Sequence, residues 1–400
     1  MRRPANVSPP KRGRAERTTL GVLLVAVLLV LAEDAHAQWI PDSTIDTRVQ
    51  RGISHIYNME FPQAEHVFAE VIQLRPEHPV GYFFRAMIQW WRILANYDDE
   101  SNDQTFYDQL EEVVTMCEKR LDKDPNDLTA LFFKGGAIGF RGRLRANRGK
   151  WVGAANDGMV ALPLVRKAHA LDPNNYDVLL GIGIYNYYAD VIPDKYPYVK
   201  PVMFFFPSGD RKKGMEQLRQ VSLNAKYAKT EATYFLMQNY FMYEKDYAKA
   251  LELARQLFGK YPKNPLFHRY LGRALVSSGY VGEANDVFLE IEKRCRDKQL
   301  GYDRYDAREA YYYLGRYEFL GDRLDAALQY FYTCDELSRK LDKEGASGFM
   351  SMANLTIGLI YDLQGKRAHA EQQYRKVLAF KNYETTHEQA EKYLKQPYKR

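Results

Sequence analysis

A chain of 400 residues that is 46% hydrophobic and 27% charged can bury a core, which excludes a wholly disordered polymer. Its formal charge of +6 gives no argument for nucleic acid: residues 1–37 hold six basic and three acidic residues, and without them the balance is +3. Three cysteines, Cys117, Cys295 and Cys334, exclude a complete disulfide framework, with Cys295 and Cys334 the one pair placed to bridge.

Residues 1–37 read as a signal peptide. Arg2, Arg3, Lys11, Arg12, Arg14 and Arg17 precede 13 apolar or small residues at 20–32, too few to span a bilayer comfortably. Ala35-His36-Ala37 then offers small side chains where a signal peptidase cuts. The mature chain would begin at Gln38, exported to the periplasm or secreted, with no transmembrane span of its own.

The first helical hairpin covers 44–74, broken at Phe61-Pro62. Proline ends helices because it lacks an N–H and restricts the residue before it. Pro76, Pro125, Pro173 and Pro262 punctuate the chain, 49, 48 and 89 residues apart, and Asn or Asp follows to cap the next helix. Residues 97–105, with the acidic run Asp98-Asp99-Glu100, read as an insertion. Within 129–171, Gly135, Gly136, Gly139 and Gly142 stand at helical spacing that suits close helix approach. Arg141, Arg143, Arg145, Arg148 and Lys150 read as a solvated helix face, or as a holder of phosphate or an acidic partner. Gly158 and Pro163 interrupt the pattern before it resumes at 164–171.

Residues 181–218 are the least repeat-like. GIGIYNYYADVIP leads into a loop with Pro193, Pro197, Pro201 and Pro207 and the apolar run ending in Phe204, Phe205 and Phe206. Those rings are expected to fold back onto the chain, with membrane or apolar-partner contact as the alternative. Ser208-Gly209-Asp210 caps a helix beginning near Arg211.

From residue 230 the chain becomes regular, with hairpins at 231–261, 265–294, 308–338 and 348–378, an insertion at 297–305 and a terminal capping helix at 386–394. Gly272, Gly279, Ala284 and Phe288 stand 7, 5 and 4 residues apart. The spacing recurs as Gly358, Gly365, Ala370, Tyr374 and as Gly52, Met59, Ala64, Phe68. Small residues at fixed places between apolar ones describe two short antiparallel helices whose backbones approach closely. This pattern resembles the tetratricopeptide repeat. The resemblance implies an all-α, right-handed superhelix of antiparallel helical hairpins, with a divergent region at 38–229 and a regular array at 230–400. The 31 tyrosines fit the aromatic packing sites of such repeats.

More narrowly, GxGxYN, a proline-containing loop and FPSGDRKKGMEQL at 181–218 resemble the eukaryotic tetratricopeptide-repeat protein 39 and inclusion-body-clearance family. That resemblance implies a helical scaffold linked to lipid or protein homeostasis, without an established catalytic site. Its members lack an export signal, so their cellular role does not transfer.

Catalytic motifs are missing from the sequence. There is no HExxH, CxxC, GxSxG or phosphate loop, and the histidines are scattered singly. Neither an enzyme nor a cofactor is expected. In a stack of hairpins the first helices line the concave side. Positions three before, one after and four after the Gly272-type residue share its inner stripe. These are Phe235, Asn239 and Met242; Arg269, Arg273 and Val276; and Tyr312, Arg316 and Phe319. Three arginines, an Asn and several aromatics with no acid among them point to an acidic or C-terminal peptide ligand. The competing reading pairs Arg269 and Arg316 with acids of adjacent helices. A different function, as carrier or sensor of an apolar ligand or lipid, would use the aromatic-rich 181–206 region.

Overall fold

Each hairpin turns on a small residue that lets an aromatic ring reach the backbone of the neighbouring helix. A Cβ placed on Gly52 would stand 2.4 Å from the Phe68 ring, on Gly272 2.7 Å from Phe288, and on Gly358 2.5 Å from Tyr374. Gly315 and Phe331 repeat the relation at 3.0 Å. Seven residues after each glycine the chain reverses through a left-handed residue: Met59, Gly279, Asp322 and Gly365 have φ of 60°, 83°, 60° and 71°. The recurrent 7-5-4 spacing is thus a close contact, a turn and two packing positions of one hairpin.

A computed structural model describes residues 42–200, 206–343 and 345–400; the expected signal peptide, Phe204 and Phe205 lie outside them. Among the described residues there are seventeen α-helices and no strand, as expected of an all-α chain. The hairpins are α1 (Ser43–Tyr57) with α2 (Phe61–Leu74), α3 (Pro79–Ala95) with α4 (Asp103–Leu121), and α5 (Leu128–Asn147) with α6 (Trp151–Leu171). There follow α7 (Tyr176–Lys195) with α8 (Arg211–Asn224), and α9 (Lys229–Asn239), extended by a π-helical turn Tyr240–Glu244, with α10 (Tyr247–Lys260). The array continues as α11 (Pro265–Ser277) with α12 (Val281–Arg296), α13 (Arg304–Leu320) with α14 (Leu324–Leu341), and α15 (Gly348–Leu363) with α16 (Arg367–Leu378). Helix α17 (Thr386–Lys395) closes it. Each helix packs on the next, which makes the array a solenoid.

The residues after the punctuating prolines cap as expected: Asp127, Asn175 and Asn264 accept backbone N–H groups at the starts of α5, α7 and α11. Asp210 does the same for α8. The first hairpin breaks at 58–60, and Phe61-Pro62 opens α2, because a proline in the first turn has no helical bond to lose. Two expected interruptions are not breaks. Gly158 with Pro163 lies inside the continuous α6, and Pro193 inside α7. The lost hydrogen bond at each is outweighed by packing along the rest of a 20- or 21-residue helix. The longer spacing of the early repeats is taken up by such helices. The glycine run holds in part: a Cβ on Gly135 would meet Val165 at 2.8 Å and one on Gly142 would meet Asp157 at 2.9 Å, whereas one on Gly139 would meet nothing within 4 Å.

The described parts of the unusual segment, 181–200 and 206–218, form a clasp between α7 and α8. A Cβ on Gly214 would stand 2.5 Å from the Tyr187 backbone nitrogen, and one on Gly209 2.4 Å from that of Asp190. Backbone meets backbone there, so only glycine fits. The Asp210 N–H donates to the Asn186 carbonyl at 2.9 Å, and the Asn186 amide donates to Gln217 at 2.7 Å.

A second set of contacts joins residues far apart in sequence. Hairpin α1–α2 and helix α3 pack against α9–α11. The Asn264 amide donates to the Tyr57 carbonyl at 2.8 Å, the Lys263 N–H to Asn58 at 3.3 Å, and the Lys263 ammonium sits 2.7 Å from Glu60. Trp91 lies 5.7 Å from the Tyr234 ring and 5.5 Å from Phe267. Tyr227 donates to the buried Asp46, which also holds Lys226 at 2.7 Å. The inner surface of the early hairpins therefore closes on that of the fifth and sixth. All three cysteines are free, so Cys295 and Cys334 do not bridge, and Cys117 and Cys334 are buried as small hydrophobes.

Candidate functional site

The inner stripe begins on α9, where packing against α5, α7 and α8 has consumed it. Phe235 is 3% exposed and lies under the Arg143 guanidinium, 4.4 Å from its ring. The same guanidinium sits 4.7 Å from Trp90 and 3.1 Å from Glu231, which also accepts from the Tyr57 hydroxyl at 3.0 Å. Burial raises the Glu231 carboxyl above its usual range even with Arg143 beside it. Asn239 is 0% exposed; it accepts from Tyr188 at 2.8 Å and donates weakly to Met215 sulfur at 3.6 Å. Met242, on the π-turn, is exposed. Phe235 and Asn239 are thus packed residues, because Arg143 of α5 and the preceding hairpin α7–α8 cover them.

On α11 the two arginines are bound by the next repeat. Arg273 donates twice to Glu309, once at 2.5 Å, and Arg269 reaches Glu309 at 3.2 Å and Asp306 at 2.8 Å. Glu309 is 1% exposed. Burial would raise its carboxyl, but the guanidiniums of Arg273 and Arg269 outweigh it and hold it below the usual range. Asp306 is pushed up to about 6 by burial, with Arg269 only partly countering it. The pairing of Arg269 with acids of the adjacent helix, the competing reading, is what the structure contains. A stripe without acids has acids directly behind it.

The stripe reopens on α13. Tyr312 is buried, with its hydroxyl 3.3 Å from Met352 sulfur and its ring 5.4 Å from Phe349. Arg316 is exposed, 5.9 Å from the Tyr312 ring, and makes no ion pair among the described residues. Half-buried Phe319 lies 4.9 Å from the Arg400 guanidinium, which also meets Asp322 at 2.6 Å. Tyr383, partly exposed, and Glu384 are near enough to Tyr312 to act on its phenol, which burial pushes up to about 12. Arg316 thus offers one exposed cation on the Tyr312 ring. Tyr383 was not legible from the repeat spacing, since it sits on the connection to the cap.

Elsewhere the basic cluster on α5 is not a solvated face. Arg141 and Arg145 each meet the buried Asp157 at 2.7 Å, Arg143 is held by Glu231, and Arg148 meets Asp103 at 2.7 Å. A groove of about 480 Å³ lies beside α8 and the π-turn, lined by Arg211, Lys212, Met215, Arg219 and Tyr240. Its arginines are compensated, Arg211 by Glu244 at 2.7 Å and Arg219 by Glu216 at 2.8 Å. Phe206 is half-buried, its ring edge 3.5 Å from where a Gly158 Cβ would stand. Among the described residues no group of three or more His, Cys, Asp or Glu could hold a metal, and no helix is long and apolar enough to cross a membrane.

Residues 239–299, from the end of α9 through α12, match the tetratricopeptide repeat family. Residues 239–299 thus carry tetratricopeptide repeats, and helical hairpins run from α1 to α16. The match does not include 181–218, where the narrower family likeness remains a resemblance. No curated protein matches the sequence. Similar solved structures include the Cut9–Hcn1 hetero-tetramer of the APC/C, at 13% identity and a TM-score of 0.49 over 84% of this chain and 52% of that one. PilF of Pseudomonas aeruginosa matches at 14% identity and 0.39, over 61% of this chain and 90% of that one. Yeast Tom70 matches at 10% identity and 0.36, over 85% and 86%. The chain spans about half the length of the Cut9–Hcn1 chain it matches. At these scores the likenesses carry no functional argument.

Proposed function

We propose that the chain is an exported interaction scaffold that holds acidic or C-terminal peptide segments at the open end of its concave face. Tetratricopeptide repeats suggest protein–protein interaction as the general role. The observation that carries the finer reading is Arg316: an exposed, inward-stripe cation with no ion pair among the described residues, set on the Tyr312 ring. Arg269 and Arg273 lie on the same stripe, but Glu309 and Asp306 already occupy their donor groups. A carboxylate ligand would compete with them at a cost, and would meet Arg316 without one.

The alternative, an apolar-ligand carrier using 181–206, gains less support. Tyr187, Tyr188 and Asn186 of that region spend their polar groups on Glu244, Asn239 and Gln217. Export rests on the basic start, apolar run and Ala-His-Ala of residues 1–37.

Fluorescence polarisation with a labelled acidic peptide bearing a free C-terminus tests the binding site. Arg316→Glu should weaken binding on the order of tenfold or more, the worth of a charge-assisted hydrogen bond, and Arg316→Gln should fall between. Undiminished binding by folded Arg316→Glu would move the site elsewhere. N-terminal sequencing of the protein from an envelope fraction should begin at Gln38; an uncleaved cytoplasmic chain would remove the export half.

A further inference from the structure

The chain turns back after helix α17. Gln396 has an extended backbone, φ −143° and ψ 140°, and Pro397 keeps the segment from continuing the helix. Residues 396–400 then cross the C-terminal ends of the two preceding first helices, α15 and α13. The Tyr398 N–H donates to Asp362 at 2.8 Å, and the Tyr398 ring stands edge-on to Tyr393 at 5.2 Å. Two residues on, the Arg400 guanidinium lies 4.9 Å from the Phe319 ring, donates to the Phe319 carbonyl and meets Asp322 at 2.6 Å. Asp362 and Phe319 each stand four residues after a Gly272-type glycine, Gly358 and Gly315. The segment therefore crosses one stripe position on two successive repeats.

The two ties select different things. The Asp362 side chain is 0% exposed, pairs with Arg367 at 3.0 Å and accepts from the Tyr374 hydroxyl at 2.8 Å. Its third partner is a main-chain N–H, a donor that any extended peptide brings. At the other end, Asp322 is exposed, and the last turn of α13 offers carbonyl oxygens that favour a cation. Asp322 and the Phe319 carbonyl together suit a guanidinium, with the Phe319 ring beneath it. The grip on the segment is slight. Gln396, Pro397, Lys399 and Arg400 stay exposed, and an exposed ion pair adds little. A segment held this way opens locally without unfolding the array.

We propose that the C-terminal ends of α13 and α15 form a docking site for an extended basic peptide, and that residues 396–400 occupy it as a displaceable strap. Asp362 takes the peptide main chain, and Asp322 with Phe319 takes a basic side chain two residues on. The site adjoins Arg316, three residues before Phe319 on α13, but selects the opposite charge, so neither site requires the other.

Saturation-transfer NMR with the free peptide QPYKR, the sequence of residues 396–400, reads the site. A chain lacking 396–400, with unchanged helical circular dichroism, should transfer saturation to the tyrosine and arginine protons of the peptide. The full chain should transfer on the order of tenfold less, because a tethered strap competes at about millimolar effective concentration. Arg400→Glu in the full chain sets a carboxylate against Asp322 and should restore transfer with every core residue in place. Asp322→Lys in the shortened chain repels the arginine of the peptide and should cut transfer several-fold. No transfer with either the shortened or the Arg400→Glu chain would overturn the proposal. So would equal transfer with the shortened and full chains, or transfer undiminished by Asp322→Lys. Equal transfer to the charge-reversed peptide QPYEE would also overturn it, since the site would then select no charge.

Discussion

Glu309→Ala tests whether the inner arginines belong to the fold or to a ligand. Glu309 is 1% exposed and takes both donors of Arg273 and one of Arg269. Its removal strands Arg273 without its carboxylate in a buried setting, while Arg269 keeps Asp306 at 2.8 Å. Breaking one side of a buried ion pair costs about 3–5 kcal/mol, because the remaining charge stays desolvated. Urea denaturation followed by circular dichroism should show a loss of that size. A companion variant, Glu309→Leu with Arg273→Met, removes both charges and should recover most of the loss, since apolar groups of similar volume replace the pair. A loss under about 1 kcal/mol for Glu309→Ala would show Arg273 to be solvated, as a surface pair is. Arg273 would then be free for a ligand, and the assignment of the open site to Arg316 alone would fail.

Two further outcomes follow from the packing. Gly214→Ala should cost about 1–3 kcal/mol, because its Cβ would meet the Tyr187 backbone rather than a movable side chain, and an unchanged urea midpoint would refute the α7–α8 clasp. His268, stacked on Phe258 at 4.2 Å and hydrogen-bonded to Tyr302, has its pKa lowered to about 3 by burial and by Arg294. The unfolded chain then binds the proton first, so this residue's contribution is complete above about pH 6.5 and is lost as pH falls toward 3. The loss approaches ~1.4 kcal/mol per pH unit in that window. NMR should show no imidazole titration at His268 above about pH 5, and His268→Gln should flatten the acid limb; a midpoint near 6.5 would contradict the burial.

The hairpins were legible because their signals are local. A glycine, a left-handed turn and an aromatic ring fall within seventeen consecutive residues, as from Gly272 to Phe288, and the capping Asn and Asp follow their prolines directly. The breaks expected at Gly158, Pro163 and Pro193 failed for the opposite reason: a local helix cost was overridden by tertiary contacts along long helices. The ion pairs were hidden by distance. Glu309 lies 36 residues beyond Arg273, and Glu231 88 beyond Arg143, so a stripe or cluster read on one helix showed only the cations. The one usable hint was the repeat itself, which sets a carboxylate in the next first helix close to the arginines. Closure was least legible, since Tyr57 and Asn264 are 207 residues apart and no period links them. It shapes the inner surface nonetheless, because it buries Tyr57 of α1 against Glu231 of α9.

That closure is the premise on which the open end at α13 depends, and cross-linking reads it directly. Asn58→Cys and Lys263→Cys place thiols at a contact where the Lys263 N–H lies 3.3 Å from the Asn58 side chain. A short bismaleimide spacer, added under native conditions and mapped by mass spectrometry, should join the two within one monomer, and the link should vanish in urea. If both cysteines label singly and no 58–263 link forms in the folded protein, the early hairpins do not close on the fifth and sixth. Tyr57 and Glu231, joined at 3.0 Å in the closed chain, would then face an open groove.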